Sequence, residues 1–521
     1  MVYRCAALFA ALFILAGPVW AQDVTLSSPD GKVELSGTLL GFDGEFYRVD
    51  TIYGELTVDG SGVTCEGPGC PNLQDFVARV GISGSATMGR VLFPALIESF
   101  ARREGYRSER TDEREGVRTY RLVSPSTNKP VAEFLIRSTN TDEGFADLLA
   151  NEADIVMALR EIRGDERTRA IESALGDLKG PNRSRVLALD ALVPIVNPDL
   201  PVRSIEPLAL ARVLSGAVTN WSVLGGPDAP ISVHVPGPMT GMGQSLGDLV
   251  LIPAGSTVSE TAVLHDRSAD LVAEVLADPF AIGIASYSDH GEARVLTLEG
   301  SCGFESVAGR LTIKTEDYPL TAPMFLYLPV RRLPKVARDF LAYTRGMAAQ
   351  AVIRRSGLVD QATERVTLAQ QGQRFTNAIM NAGAEVPLAE LQRMVGFLSD
   401  SARLSISFRF EAGSARLDAQ SRSNIQQLAQ TLESGQLDGR DVLFVGFSDG
   451  QGAADPNRAI ALQRAEAVLA AVQSAAETAK FDRINMIADA FGEALPMACD
   501  DTAWGRRVNR RVEVWVRLVR R

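Results

Sequence analysis

Three polar residues near the C-terminus have the types and spacing of a site for a zwitterionic ligand. Asp449 follows an apolar run, residues 442–447, and is expected in a loop, where its carboxylate can meet an ammonium group. Asn457 and Arg464 lie two turns apart on a predicted helix and therefore share one face. A guanidinium grips a carboxylate through two parallel hydrogen bonds. The three residues together favour the end of an amino acid that carries both charges.

The elements that must position these residues read as β-α-β-α-β. Apolar runs rich in Val, Ile and Phe predict the strands, and longer stretches with helical periodicity predict the helices between them. The predicted strands are residues 404–410, 442–447, 484–488 and 512–516, and the predicted helices are residues 419–434 and 456–475.

An ordered set of motifs across residues 403–521 resembles the OmpA-like peptidoglycan-binding domain. The residues that carry the resemblance are Phe408-Arg-Phe410, Ser414-Ala-Arg-Leu417, Gly446-Phe-Ser-Asp449, Asn457, Leu462, Arg464-Ala465, Val468, Gly492-Glu493, Pro496 and the run Gly505-Arg-Arg-Val-Asn-Arg-Arg-Val-Glu513. The resemblance implies anchorage to peptidoglycan in the periplasm of a Gram-negative envelope.

The same resemblance implies roles for single residues toward diaminopimelate in the stem peptide of peptidoglycan. Asp449 takes the amino group and Arg464 the carboxylate, while Asn457 and Arg510 or Arg511 complete the pocket. Phe447 departs from the pattern, because His or Tyr often stands there, and we expect it to support the site without touching ligand. The alternative for Asp449 and Arg464 is a plain surface salt bridge.

A second candidate site lies in the middle of the chain, where residues 71–362 read as alternating strands and helices. Residues 82–89, Ile-Ser-Gly-Ser-Ala-Thr-Met-Gly, join a strand to a helix. Hydroxyls and backbone amides at a helix N-terminus attract anions. Ser83, Ser85 and Thr87 are therefore candidates for binding an oxyanion.

This middle region resembles the phosphate-binding component of ABC transporters, a two-lobed periplasmic binding protein. The segments that carry the resemblance are residues 82–89, 189–198, 214–221, 224–226 and 279–287. It implies that two lobes close on a ligand by a hinge. The implied ligand is phosphate or another small oxyanion, and the implied partner is an ABC transporter or another envelope protein.

The resemblance assigns the anion to Ser83, Ser85 and Thr87 of a first loop, to Asp154, and to Thr240 and Gly241 of a second loop. The second loop departs from the family, since no arginine precedes Thr240. Leu159 stands where a serine is common. Charge-assisted hydrogen bonds to phosphate are among the strongest, so the missing guanidinium bears on the ligand. The alternative is an envelope scaffold in which the same fold makes protein contacts.

The remaining segments are a leader, a small β module and a linker. Residues 1–21 combine Arg4, an apolar run and the end Val-Trp-Ala, which predict a signal peptide cleaved before Gln22. Residues 22–70 alternate apolar and polar residues between Asp-Gly turns and predict short strands. Residues 363–402 read as a helical linker.

Four cysteines follow the predicted leader. Cys65 and Cys70 flank a turn-rich loop and are expected to form a small disulfide in an oxidising compartment. For Cys302 and Cys499 the spacing leaves both a disulfide and two free thiols open.

Composition and the remaining motifs argue against several classes of protein. The net charge of −11 argues against a nucleic-acid partner. Gly243-Gln-Ser245-Leu-Gly247 has the spacing of a nucleophile elbow, but a loop precedes it where that motif needs a strand. The three histidines lack metal-ligand spacing, and Asp500-Asp501 read as solvated loop residues. We therefore expect a non-enzymatic protein of α/β multidomain architecture without metal or cofactor.

Overall fold

The computed structural model describes residues 23–519 except Gln74, Ala384, Ala412, Gly413 and Ala415. The predicted signal peptide, residues 1–21, its cleavage point before Gln22 and part of the 414–417 motif lie outside the described residues. Within the described part of the chain, every helix is too short or too polar to cross a membrane.

The N-terminal module is a five-stranded antiparallel sheet with the strand order β4-β3-β2-β1-β5. Its strands are β1 Val24–Ser27, β2 Glu34–Phe42, β3 Phe46–Thr51, β4 Gly54–Asp59 and β5 Thr64–Glu66. Tyr47 and Val49 lie in its small buried core. Cys65 and Cys70 form a disulfide, as their spacing predicts.

The module docks on the middle domain through ion pairs. Arg332 donates to Asp43 at 2.5 Å, and its guanidinium carbon lies 4.0 Å from the centre of the Phe46 ring. Arg338 donates to Glu45 at 2.7 Å. The module is thus held against the segment that leads into a helix of the next domain.

The middle domain follows the predicted alternation of strands and helices. Its elements are β6 Ala78–Ser85, α1 Phe93–Arg103, β7 Arg107–Arg114, β8 Val117–Val123, β9 Pro130–Thr139, α2 Thr141–Leu149, β10 Ile155–Ala158, α3 Gly164–Glu172, β11 Ser184–Val196, β12 Ser204–Ile205, α4 Pro207–Leu214, β13 Ser232–Pro236, α5 Gly241–Leu246, β14 Val263–His265, α6 Ser268–Ala277, β15 Ala281–Ser286, β16 Arg294–Val295, β17 Thr297–Glu299, β18 Glu305–Ser306, α7 Arg310–Lys314, β19 Thr321–Tyr327, α8 Lys335–Tyr343 and α9 Met347–Arg355.

Two lobes share the long strand β11. The main sheet runs β14-β13-β15-β11-β19-β10-β6-β9-β8-β7, so β11 and β19 join the two halves. Each half has its own hydrophobic core, one containing Phe93 and Phe340 and the other containing Trp221 and Ile282. Residues 334–356 form the two helices α8 and α9, because the chain turns at Thr344–Gly346 between them.

The C-terminal domain has all the predicted strands and helices, and most of their ends lie within two residues of the predicted ones. It also has several elements that were not predicted. Its elements are β20 Arg365–Thr367, α10 Gly372–Met380, α11 Leu388–Leu398, β21 Ala402–Arg409, α12 Ala419–Glu433, β22 Arg440–Phe447, α13 Ala454–Ala475, β23 Ile484–Gly492, α14 Ala503–Asn509 and β24 Arg511–Leu518. The sheet order is β20-β21-β24-β22-β23, with α12 and α13 packed on one face.

Residues 363–402, predicted as a linker, are built into this sheet. Strand β20 pairs with β21 at one edge. Leu391, Met394 and Leu398 of α11 pack with Leu443 and Trp515 of the sheet. These helices therefore cover the face opposite to α12 and α13, because successive strand residues point to opposite faces.

The middle and C-terminal domains share a buried interface. Cys302 and Cys499 form a disulfide across it, which decides between the two possibilities left open above. Arg403 donates to Asp317 at 2.6 and 3.1 Å, with both side chains almost fully buried. Trp504 of α14 inserts into the core that contains Trp221. The two domains are thus one packed body joined by covalent, ionic and apolar contacts.

Candidate binding sites

The loop after β22 brings together the residues predicted to bind a zwitterion. Asp449 forms an ion pair with Arg510, which precedes β24; Oδ2 of Asp449 lies 2.6 Å from Nη1 of Arg510. Asn457, in the first turn of α13, donates from its side-chain amide to the backbone carbonyl of Asp449 at 3.2 Å. The Asn457 side chain thus fixes the loop. One oxygen of the Asp449 carboxylate has a single long contact, 3.4 Å, with the backbone amide of Gln451.

Arg464 lies near this pair without joining it. Its guanidinium carbon is 4.9 Å from the centre of the Phe410 ring, and it forms no ion pair with any described residue. Partial burial and the nearby positive charge of Arg510 lower the pKa of Arg464, against the opposing pull of Asp449. The predicted alternative, a salt bridge between Asp449 and Arg464, is therefore not what forms. Arg464 remains available for a carboxylate.

Two further carboxylates border the same loop. Asp500 accepts from the Gly450 amide at 2.7 Å and from the Asn509 side chain at 2.8 Å. Burial raises the pKa of Asp500. Burial also raises the pKa of Glu493, and the negative charges of Asp500 and Asp449 raise it further. The prediction that Asp500 is a solvated loop residue is wrong. No local pattern reveals its role, because Gly450 lies fifty positions away in sequence.

Arg511 has a different place from the one the resemblance implied. It is fully buried, donates to Glu513 at 2.7 Å and to the Leu495 carbonyl at 2.8 Å, and its guanidinium carbon lies 4.4 Å from the centre of the Phe447 ring. It therefore cannot touch ligand, and Arg510 is the arginine of that pair that reaches the site. Phe447 supports Arg511 from within the core, consistent with its predicted supporting role.

The cleft between the two lobes of the middle domain encloses about 600 Å³. Thr87, Thr240 and Gly241, which the resemblance assigns to an anion, line it. Thr240 is the N-cap of α5, and its hydroxyl accepts from the Gly243 amide at 3.0 Å and donates to the Gly237 carbonyl at 2.7 Å. The two predicted loops thus face one cavity from opposite lobes.

Ser83 and Ser85 do not reach the cleft. Both are fully buried. The Ser83 hydroxyl donates to Asp147 at 2.6 Å, and the Ser85 hydroxyl accepts from the Met88 amide at 3.4 Å. The Ser83 hydroxyl therefore ties β6 to α2, and the Ser85 hydroxyl holds the strand-to-helix turn after β6. Neither serine lines the cleft, so the structure does not bring these two predicted contacts to it.

Asp154 lies at the wrong end of its strand for a cleft ligand. It accepts from the Gly81 amide at 2.8 Å and from Arg331 at 2.9 Å. Gly81 comes four positions before Ser85 in β6, which corresponds to roughly 13 Å along an extended strand. The predicted anion contact at Asp154 is wrong, because this carboxylate is held by Gly81 and Arg331 at the end of the strands that points away from the cleft.

Buried and half-buried arginines around the first lobe are neutralised by acids. Arg160 is almost fully buried and ion-paired with Glu166 at 2.7 Å and with Asp142. Arg137 donates to Glu152 at 2.7 Å. The arginines that line the cleft itself, Arg90 and Arg267, are exposed, and two aspartates, Asp266 and Asp289, line it with them.

Polar groups to which the sequence assigned no role also lie in or next to the cleft lining. His234 and His265 lie 3.0 Å apart, Nδ1 to Nε2, although 31 positions separate them in sequence. Burial, and then the neighbouring His265, lower the pKa of His234. Asp190 is buried under the lining residue Ser288, whose hydroxyl donates to it at 2.8 Å. An acid inside the apolar run 186–196 is the signal that could have identified Asp190.

Ser245 is not placed as a nucleophile. It lies in α5, is almost fully buried, and its hydroxyl is shared between the carbonyls of Leu159 and Gly241, each at 3.1 Å. A loop, residues 237–240, separates it from β13 as predicted.

Comparison with known proteins identifies two domains in the chain. The model of the PBP superfamily domain matches residues 111–345, and the model of the OmpA family matches residues 409–510. The chain thus carries one domain of each kind, as the sequence motifs indicated.

Relatives of the middle domain include the protein SphX of Synechococcus elongatus, 26% identical over 242 residues, which are 42% of this chain and 70% of the relative. The phosphate-binding protein PstS of Borreliella burgdorferi is 24% identical over 186 residues, 34% of this chain and 65% of the relative. Among solved structures, an ABC-type phosphate transport receptor from Vibrio cholerae has a TM-score of 0.41 and 20% identity, covering 54% of this chain and 99% of the receptor.

Proposed function

We propose that this protein is held non-covalently to peptidoglycan in the periplasm by its OmpA-family domain and presents a solute-binding domain there. The observation that carries the anchoring is the unpaired guanidinium of Arg464 beside the carboxylate of Asp449. An unpaired guanidinium near a carboxylate that keeps one oxygen open complements a zwitterionic ligand end, and diaminopimelate in the stem peptide is such a group.

In the proposed complex, the ligand carboxylate binds Arg464 and the ligand ammonium binds Asp449. Asp500 and Glu493 add negative potential on the ammonium side, since their carboxylates border Gly450. Arg510 keeps Asp449 oriented through its 2.6 Å ion pair. Asn457 fixes the loop through the Asp449 carbonyl and so acts on the position of the carboxylate.

Co-sedimentation of the full chain with purified peptidoglycan tests the anchor. We expect Arg464→Gln to weaken binding at least tenfold, because a charge-assisted hydrogen bond contributes roughly 1.5–3 kcal/mol. Arg483→Gln is the matched control, since Arg483 is an exposed arginine at the other end of β23 that pairs with Asp438. Equal binding of wild type and both variants refutes the site.

For the middle domain we propose capture of a small polar solute in the interlobe cleft, with an ABC transporter or another envelope protein as the recipient. Thr87, Thr240 and Gly241 from both lobes support this, because a ligand between them stabilises closure. Phosphate or a related oxyanion is the first ligand to test, because one relative is a phosphate-binding protein. No reaction is proposed at the cleft.

A second candidate is an envelope scaffold whose binding-protein fold contacts other proteins. The observation that favours it is the neutralisation of Arg160 and Arg137 by acids, together with the balanced charges of the cleft lining. Calorimetric titration with phosphate and sulfate separates the two. Binding that Thr240→Val weakens supports solute capture, whereas absence of heat with both anions supports the scaffold.

A further inference from the structure

A second cavity, of about 300 Å³, lies where the middle and C-terminal domains meet. The start of β11 and the turn between α8 and α9 form one wall, and α12 forms the other. Ser, Thr, Asn and Gln side chains dominate the lining, and none of the lining residues is an Asp or Glu. Its only charged lining residues are Arg185 and Arg345, so the cavity is electropositive.

Arg185 is a half-buried cation that forms no ion pair with any described residue. Its two terminal nitrogens donate to the Leu341 carbonyl at 2.8 Å and to the Thr344 hydroxyl at 3.0 Å. Its Nε is buried and has no hydrogen-bond partner. Burial, reinforced by the charge of Arg345, lowers the pKa of Arg185 to about 9. The fold therefore tolerates an unneutralised guanidinium at this point.

Arg345 places a second positive charge on the same wall. It is exposed and forms no ion pair with any described residue. The buried side-chain amide nitrogen of Gln361, also in the lining, is another donor without a partner. Two like charges and an unused donor around one cavity favour its occupation by a negatively charged acceptor. Elsewhere in the interface, by contrast, the buried Arg403 is paired with Asp317.

We propose that this interdomain cavity is a binding site for a small anion with carboxylate or phosphoryl oxygens. Arg185 and Arg345 bind the charged oxygens, because a guanidinium presents a planar fork of donors. Gln426 and Gln430 of α12 line the opposite wall and offer amides to the rest of the ligand. The ligand contacts both domains at once, so its binding strengthens their docking. This site is separate from the interlobe cleft and from the Asp449 site.

Isothermal titration calorimetry of the full chain with citrate and with inorganic phosphate tests the site. Two variants change side chains on opposite walls of the cavity. Arg345→Gln removes one cation from an exposed turn, and we expect the dissociation constant to rise at least tenfold. Gln430→Glu adds a carboxylate from α12, where Gln430 is exposed and tolerates change. We expect it to abolish binding of both probes while leaving the thermal midpoint equal to or above that of the wild type.

Two controls separate this site from other sources of heat. Arg102→Gln removes an exposed arginine at the end of α1, outside this cavity, and is expected to leave titration unchanged. Thr240→Val alters only the interlobe cleft. Binding that Arg345→Gln and Gln430→Glu weaken but Thr240→Val does not supports the proposal. Absence of binding by either probe, or binding that both cavity variants leave intact, overturns it.

Discussion

The Asp449 site, which we propose binds peptidoglycan, and the interlobe cleft differ in how their charged groups are paired. At the Asp449 site, Arg464 has no acid partner among the described residues, and the carboxylates of Asp449, Glu493 and Asp500 border one loop. In the first lobe beside the cleft, Arg160 and Arg137 are paired with acids, and the cleft lining balances Arg90 and Arg267 against Asp266 and Asp289. One site is arranged for an ionic ligand, while the other is arranged for a polar one.

The difference shows that two proteins can share a fold without binding the same ligand. Binding energy for an oxyanion comes mainly from charge-assisted donors that are free to meet it. Thr240 and Gly241 line the cleft, but the buried guanidinium of Arg160 beside it is already neutralised by Glu166 and Asp142. Fold similarity alone therefore does not determine what the cleft binds.

The largest expected effect concerns the charge at Asp449. Asp449→Asn keeps the size of the side chain but removes its charge, so we expect peptidoglycan affinity to fall roughly ten- to a hundredfold, as loss of a charge-assisted bond predicts. Asp266→Asn in the cleft is the matched control and should change nothing. The comparison fails if co-sedimentation shows equal losses in both variants.

A substitution that is expected to raise phosphate affinity also tests the cleft. Met239 lines the cleft and is 68% exposed, so Met239→Arg adds an unpaired guanidinium next to Thr240 without disturbing the core. We expect phosphate affinity, measured by calorimetry, to rise about tenfold, since one such bond contributes roughly 1.5 kcal/mol. Val223→Arg, exposed and outside the cleft, is the control. No gain from Met239→Arg shows that charge is not what limits anion binding there.

A smaller effect concerns the ion pairs at the interface between the middle and C-terminal domains. Glu364 accepts ion pairs from Arg310 and Lys314 across the domain interface, and these cations lower its pKa to about 2. The folded-state pKa lies below the unfolded value, so this stability is present above about pH 4.5 and is lost as the pH falls toward 2. Glu364→Gln should cost about 1–2 kcal/mol at pH 7, after allowance for solvent screening.

Chemical denaturation at a series of pH values checks this result. The difference between wild type and Glu364→Gln should shrink below pH 4. Glu466→Gln, an exposed carboxylate on α13, serves as the control. A difference that stays constant down to pH 2 contradicts the ion-pair explanation.

The smallest effect concerns the histidine pair of the cleft. Because the pKa of His234 is lowered, the unfolded chain binds the proton more readily, and stability falls as the pH drops below about 6.5. His234→Asn retains a nitrogen near Nδ1 and should flatten the dependence of the thermal midpoint on pH between 7 and 5. An unchanged slope indicates that the pair does not titrate there.

The sequence predicted the main strands and helices of the C-terminal domain and the positions of Asp449 and Arg464, since these depend on local periodicity and spacing. It did not separate Arg510 from Arg511. The two are adjacent where β24 begins, and only the sheet's pairing decides which side chain enters the core. The disulfide between Cys302 and Cys499 was equally beyond reach, because it joins segments 197 positions apart.

The role of Arg464 as the carboxylate-binding group is tested most directly by comparing two kinds of purified peptidoglycan. In one, the stem peptide carries diaminopimelate, and in the other it carries lysine, whose side chain ends in an ammonium without a carboxylate. We expect wild type to bind the diaminopimelate form at least tenfold more tightly, and Arg464→Gln to bind both forms equally weakly. Equal binding of wild type to the two forms contradicts the assignment of Arg464.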